Sequence, residues 1–110
     1  MGSKLLVIIA TGDKEKALAG LMYARNVIKY GWLKNAKVVF FGPSEQLIVN
    51  DEEFANKARE IAALTDCFAC KAISDDQGVS QSLEEVGVKV EYVGNIISNL
   101  IKEGHLPMVW

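Results

Sequence analysis

The feature that most constrains the fold is an uninterrupted apolar run at residues 5–10. Apolar and polar residues do not alternate along it, and such runs are typical of strands in a parallel sheet that helices cover on both faces. Thr11-Gly12-Asp13 ends the strand, and Asp13 is suited to cap the amino end of a helix. Apolar residues then recur at helical spacing as far as Gly31, which is suited to end that helix.

The same succession of strand and helix continues along the chain. Predicted strands occupy residues 36–41, 65–71, 88–93 and 106–110, and predicted helices occupy residues 51–63, 74–85 and 94–104. Pro107 favours an edge position for the last strand, because proline lacks the backbone N–H that a central strand needs. The alternation predicts an α/β fold, a three-layer α/β/α sandwich with a five-stranded, mainly parallel sheet. A length of 110 residues fits a single domain at 1–110.

Charge and composition exclude several classes of partner. The net charge is −2 and the lysines are spread among acids, which argues against a nucleic-acid partner. No apolar run is long enough to span a membrane, and the first residues lack a signal-peptide pattern, so we expect a cytoplasmic protein. Two cysteines and the distant His105 cannot complete a four-ligand zinc site, so we expect neither a metal nor a cofactor. We expect His105 to lie at the surface or in an interface rather than to act in catalysis.

Ligands of parallel sheets bind at the carboxyl ends of the strands. Here these ends are Thr11-Gly12, Gly42-Pro43-Ser44, Cys70-Lys71 and Val93-Gly94-Asn95. The first of them resembles an anion-binding turn with free backbone N–H groups, although a simple helix cap explains it better. The second is most simply a turn. The binding residues that this edge predicts are Thr11, Gly12, Gly42, Pro43, Ser44, Lys71 and Ser74.

Cys67 and Cys70 have the C-x-x-C spacing of a redox pair. Both fall in a predicted strand, where residues three apart point to opposite faces with Cα atoms about 10 Å apart, too far for a disulfide. We therefore expect Cys67 to be a core residue and Cys70 to lie separately, near the strand end. Lys71 and a helix opening at Ser74, in a capping-box pattern with Gln77, would favour the Cys70 thiolate.

Two further possibilities stay open for Cys70. Asp75 and Asp76 would oppose the thiolate if they face it, so the sign of their net effect is open. Free cysteines are also commonly inert packing residues, and that alternative applies here as well.

Taken in order, these segments resemble the DsrE/DsrF-like proteins, which have the YchN-type fold. The resemblance covers nearly the whole chain. It rests on the first strand with its Thr11-Gly12-Asp13 turn, a long alanine-containing helix, Val38-Val39-Phe40-Phe41-Gly42-Pro43-Ser44, a strand ending in Ala69-Cys70, and Gly87-Val88 followed by a helix and a short aromatic-ended strand. It implies a five-stranded parallel sheet with helices on both sides. It also implies homo- or hetero-oligomers, often trimers or hexamers.

Some members of that family take part in sulfur relay, in which a cysteine at this strand end carries sulfur as a persulfide. On this sequence the residue is Cys70, which implies a sulfur carrier or sulfurtransferase-like protein with donor and acceptor proteins as partners. The alternative is a non-catalytic oligomeric module that binds a small anion or a partner peptide through Thr11, Gly12 and Ser44. A structural subunit of an assembly, with residues 106–110 in an interface, is a third possibility.

Overall fold

Strands and helices alternate along the chain as the sequence pattern predicts. The structure is a computed structural model that describes residues 3–110. Within that range the elements are β1 (Lys4–Ile9), α1 (Lys14–Tyr30), β2 (Asn35–Phe40), α2 (Ser44–Asn50), α3 (Glu52–Ala62), β3 (Cys67–Cys70), α4 (Lys71–Gln77), α5 (Ser80–Glu85), β4 (Lys89–Glu91), α6 (Val93–Lys102) and β5 (His105–Val109).

The strands form a single parallel sheet in the order β4-β3-β2-β1-β5. β1 lies inside the sheet, with Val7 paired to Val38 on one side and to Met108 on the other. Consecutive residues of β1, such as Leu6 and Val7, are fully buried on opposite faces, which explains its unbroken apolar run. β5 is an edge strand, as Pro107 predicts. The predicted α/β sandwich with a five-stranded parallel sheet is confirmed.

The two faces of the sheet carry hydrophobic cores of different size. The larger core lies under α1 and α3, where the rings of Phe40 and Phe54 meet edge to face with their centroids 6.1 Å apart. The smaller core lies on the opposite face under α6 and consists of Leu6, Val39, Cys70, Val93 and Leu100. Cys70 therefore belongs to the more thinly covered side of the molecule.

Local capping signals fix the ends of the two longest helices. The Asp13 carboxylate accepts a hydrogen bond from the backbone N–H of Lys16 at 3.1 Å, and Gly31 ends α1 in the left-handed conformation with φ 65°. Asp51 caps α3 in the same way, through the N–H of Phe54 at 2.9 Å. These ends agree with the predicted ones. No helix in residues 3–110 has the length and apolar character needed to cross a membrane.

The segment after β2 departs from the prediction, because the expected turn at Gly42-Pro43-Ser44 leads directly into the helix α2. Pro43 precedes the helix with φ −55°, a value that proline favours and that suits a helix start. The Ser44 hydroxyl donates a hydrogen bond to the backbone carbonyl of Ile9 at the end of β1. The start of α2 thus depends on a contact between distant parts of the chain, which no local pattern announces.

The segment after β3 also differs from the prediction. A capping box at Ser74 and a single helix over residues 74–85 are both wrong. α4 begins at Lys71, directly after the strand, with Cys70 at its N-cap, and Gly78 ends it with φ 70° before α5 starts. Ser74 lies inside α4, where its hydroxyl donates to the carbonyl of Lys71. The N-cap is Cys70 rather than the predicted Ser74, because β3 ends at Cys70 and no loop separates the strand from the helix.

The expectation that His105 lies at the surface or in an interface is also wrong for this chain. The residue is only 5% exposed. Its Nδ1 lies 3.0 Å from the carbonyl oxygen of Leu100, and its Nε2 lies 3.0 Å from Oδ1 of Asn35. The tight connection between α6 and β5 places the ring between these polar partners, so it can be buried.

Candidate functional site

The strand ends border an open cleft of about 820 Å³ at the carboxyl edge of the sheet. One wall comes from the turns after β1 and β2, a second from α2 and a third from α4. The lining residues are Gly12, Gly42, Pro43, Gln46, Leu47, Asn50, Ala72, Ile73, Asp76 and Gln77. The cleft thus lies at the edge where parallel sheets bind ligands.

Two glycines allow the first two turns to approach each other. A Cβ atom on Gly12 would lie 3.0 Å from Cβ of Pro43, closer than carbon atoms normally pack. Gly42 adopts φ 83°, which side-chain-bearing residues rarely reach. These glycines, together with Pro43, are the predicted binding residues that do line the cleft.

The other predicted residues of these turns have their polar atoms occupied within the chain. The Thr11 hydroxyl accepts a hydrogen bond from the N–H of Asp13 at 3.0 Å. Asp13 itself occupies the N-terminus of α1, so the predicted anion-binding turn already holds a carboxylate of its own. Ser44 is fully buried and bonded to Ile9. The Ser44 hydroxyl is therefore closed to a ligand, whereas the Thr11 hydroxyl is held as an acceptor and still has a proton to donate.

Cys70 lies at the boundary between strand, helix and core. It is the last residue of β3 and the N-cap of α4, and it is 8% exposed. Its side chain belongs to the smaller core, so it does not line the cleft, to which α4 contributes from Ala72 onward. The thiol is close to the predicted edge but lies behind an apolar covering.

Cys67 occupies the opposite face, as strand geometry predicts. It packs in the larger core, whereas Cys70 packs in the smaller one, and both are free thiols. Burial, and to a lesser degree the charge of Asp66, raises the pKa of the Cys67 thiol to about 12. Cys67 is therefore a protonated packing residue at neutral pH.

Lys71 and Ser74 form their polar contacts within α4 and with α5 rather than with the thiol of Cys70. The Lys71 ammonium lies 2.9 Å from the carboxylate of Asp75, a contact that raises the pKa of Lys71. The same carboxylate accepts from the Ser80 hydroxyl at 2.5 Å, and the hydroxyls of Ser80 and Ser74 lie 2.6 Å apart. The predicted stabilising groups thus form a network that joins α4 to α5, and its cation is already paired with an anion.

Glu45, in the first turn of α2, is not among the site residues predicted from the sequence. The residue is 0% exposed, and its Oε2 accepts a hydrogen bond from the N–H of Gly42 at 3.2 Å. Oε1 is buried with no hydrogen-bond partner in the described part of the chain. Burial raises the pKa of Glu45 to about 7, against a smaller opposite effect of the backbone N–H groups of Gly42 and Cys70. The available sequence signal was the spacing of Glu45, three residues after Gly42. Because glutamate is almost never fully buried, the sequence predicts an exposed side chain at this position.

Residues 3–110 hold no cluster of three or more histidine, cysteine, aspartate or glutamate side chains that could bind a metal ion. The chemistry that this edge offers is that of a covered thiol, a buried carboxyl and an open cleft. Amide side chains also line the cleft. Gln46 of α2 donates a hydrogen bond to Gln77 of α4 at 2.8 Å.

No model of a known protein family matches the chain, and no curated protein matches its sequence. Solved structures do match its fold. A conserved protein of unknown function from Bacteroides thetaiotaomicron is 24% identical with a TM-score of 0.90, and the match covers 98% of this chain and 95% of that one. A protein of unknown function from Methanobacterium thermoautotrophicum is 21% identical with a TM-score of 0.78, over 98% and 99% of the two chains. At these identities the similarity shows a shared fold alone.

Proposed function

We propose that the protein is a sulfur carrier of the DsrE/DsrF-like type and that Cys70 holds the sulfur as a persulfide. The observation that carries the proposal is the position of Cys70: a free thiol where β3 ends and α4 begins, at the carboxyl edge of a parallel sheet. It keeps 8% of its surface exposed, and Cys67 on the opposite face cannot close a disulfide with it.

The transfer needs no oxidant and no metal. The Cys70 thiolate attacks the outer sulfur of a donor persulfide, so that a new S–S bond forms on Sγ. The S–S bond of the donor breaks, and the donor leaves as a thiolate that takes up the proton released by Cys70. An acceptor thiolate then attacks the same outer sulfur, and Cys70 leaves as the thiolate. One sulfur atom moves in each step, and the number of persulfides stays constant.

The apolar surroundings of Cys70 suit a carrier better than a hydrolytic enzyme. The side chains around it are those of Leu6, Val39, Val93 and Leu100. They keep bulk water away from a bound persulfide. Because so little of the residue is exposed, a donor must displace part of α4 or α6 to reach it. We therefore expect exchange to be slower than at a free cysteine until a partner opens the site.

Self-association in the cytoplasm, as a trimer or hexamer, belongs to the same proposal. The smaller core is covered by α6 and by Ile73 of α4, and several apolar side chains of the chain remain exposed. Val109 is 66% exposed, and Phe41 and Ile101 are exposed as well. Apolar surface of this kind is typical of contacts between subunits. The molar mass in solution, measured by light scattering after gel filtration, tests this part.

A second candidate function is a binding module without catalysis, and the cleft favours it. Neither cysteine lines the cleft, whereas Gly12, Gly42 and the amides of Gln46 and Asn50 do. Such a surface can hold a small polar ligand or a short peptide by hydrogen bonds while Cys70 remains an inert packing residue. The two candidates therefore use adjacent but different surfaces.

Sulfur loading separates them. The protein is incubated with a persulfide donor, and adducts are located by intact-protein and peptide mass spectrometry. We expect a gain of one sulfur, about 32 Da, on Cys70. Cys70→Ser should abolish it, and the matched control Cys67→Ser should retain it. Failure to load Cys70 in the folded protein, or equal loading of both thiols only after denaturation, would refute the carrier and leave the binding module.

A further inference from the structure

We propose that the cleft at the carboxyl edge of the sheet binds a small organic cation, a primary amine with an apolar stem, and that Asp76 holds its ammonium group. The inference rests on the cleft as a binding site, which is the second candidate function above, and it does not involve the thiol of Cys70. It commits the cleft to one class of ligand and replaces the expectation of a small anion at this edge.

The two places where an anion would bind already hold carboxyl groups of the chain itself. Backbone N–H groups at the start of a helix attract anions, and both α1 and α2 start beside the cleft. The Asp13 carboxylate accepts a hydrogen bond from the N–H of Lys16 at 3.1 Å, at the start of α1. The Glu45 carboxyl accepts from the N–H of Gly42 at 3.2 Å, just before α2. An external anion at either helix start would therefore lie beside an acid of the chain.

The lysines next to the cleft are paired with acids outside it. Lys14 follows the turn after β1, and its ammonium lies 2.9 Å from Asp51 and 2.8 Å from Glu53. Lys71 begins α4, and its ammonium lies 2.9 Å from Asp75. In the described part of the chain, no lysine, arginine or histidine is among the residues that line the cleft. An anionic ligand would therefore find no unpaired cation there.

The ends of two helices give the cleft a negative electrostatic character. α2 contributes Leu47 and Asn50 from its last turn, and α4 contributes Asp76 and Gln77 from its own last turn. The carbonyl groups at the end of a helix carry partial negative charge, and neither of these last turns contains a basic residue. Asp76 adds a full negative charge at the end of α4, where an acid is unfavourable for the helix itself. A cation bound in the cleft would compensate all of these charges.

The other lining groups favour an organic cation over a metal ion. Asp76 is the one carboxylate among the lining residues that the structure describes, whereas a metal ion needs several oxygen ligands. Asn50 donates through Nδ2 to Gln46 at 3.2 Å and keeps its Oδ1 as an acceptor for an N–H group. The apolar part of the lining consists of Pro43, Leu47, Ala72 and Ile73. The cleft therefore offers oxygen acceptors to an ammonium group and apolar contacts to a hydrocarbon stem.

Three probes with the same four-carbon chain and different ends test the inference on the full, ¹⁵N-labelled protein. At neutral pH, 1,4-diaminobutane has positive ends, succinate has negative ends and 1,4-butanediol has neutral ends. Binding is followed through the backbone amide signals of the lining residues Gly42, Gln46, Ala72 and Gln77. We expect the diamine to shift these signals with an affinity at least about tenfold higher than that of the diol, and succinate to leave them unchanged.

Substitution of Asp76 tests its role as the anchoring carboxylate. Asp76→Asn should weaken the binding of the diamine about tenfold and leave that of the diol unchanged. Glu85→Gln is the matched control, because it removes an equal charge from an exposed position on α5 outside the cleft. It should leave the affinity for the diamine nearly unchanged. Undiminished binding of the diamine by Asp76→Asn, or binding of succinate or the diol as tightly as the diamine, would overturn the inference.

The same titrations separate this inference from the functions proposed above. Shifts with succinate or the diol but not with the diamine would refute the preference for cations and retain the cleft as a binding module. Absence of shifts with all three probes would refute the inference and remove the support for a binding module. Sulfur loading of Cys70 is measured separately, and its failure would refute the sulfur carrier alone.

Discussion

Replacing Glu45 with glutamine keeps the shape of a fully buried side chain and removes its ability to ionise. The amide oxygen of glutamine can still accept the hydrogen bond from Gly42. The substitution therefore isolates the charge. We predict that it changes how the free energy of unfolding depends on pH.

The size of the change follows from the two pKa values. The carboxyl of Glu45 has a pKa of about 7 in the folded chain and 4.5 as its ordinary value. Because the folded state holds the proton more tightly, the wild-type protein loses stability as pH rises from about 4.5 to 7 and loses no more above that range. Each pKa unit corresponds to about 1.4 kcal/mol, so the loss between pH 5 and pH 8 is about 2.5 kcal/mol.

Urea unfolding at pH 5, 6, 7 and 8 measures this loss in the two proteins. The free energy of unfolding of Glu45→Gln, minus that of the wild type, should grow by about 2.5 kcal/mol across the series. Acids with lowered pKa values, such as Asp51 and Asp66, are ionised throughout and cancel in the difference. A difference that stays constant within about 0.5 kcal/mol would show that Glu45 is already ionised at pH 5 and that its burial does not control its protonation.

Two further predictions concern the core and the charged network. Phe54→Ala removes a fully buried ring that packs on Phe40, so the free energy of unfolding in urea should fall by about 3–5 kcal/mol, whereas Val109→Ala at the exposed edge should change it by less than about 0.5 kcal/mol. Lys71→Met should leave both the stability and the sulfur loading of Cys70 nearly unchanged, because its ammonium pairs with Asp75 at the surface; a large loss of loading would show that this lysine assists the thiol instead.

The secondary structure follows largely from short stretches of sequence. The apolar run that forms β1, the caps Asp13 and Asp51, and Gly31 at the end of α1 each act within a few residues. Strand periodicity likewise places Cys67 and Cys70 on opposite faces before any fold is known. These features are predictable because backbone geometry repeats over two to four residues.

Prediction was weaker where an element begins or ends through a distant contact. α2 begins where Ser44 reaches the end of β1, and α4 begins at Lys71 because β3 leaves no loop. His105 is buried because Asn35 and Leu100 both lie within hydrogen-bonding distance of its ring. The partners Ile9 of Ser44 and Asn35 of His105 are remote in sequence, so a local window does not contain them.

The candidate site shows the same division. Its location at the carboxyl edge follows from the alternation of strands and helices, and Cys70 is visible in the sequence as a strand-end cysteine. The packing of the chain determines which polar atoms remain free there. Lys71 pairs with Asp75, and buried Glu45 accepts a hydrogen bond from Gly42, with its other oxygen left without a partner in the described residues. Charge and burial depend on neighbours brought together by folding, so the local sequence locates this edge of the sheet and the packed chain sets its electrostatics.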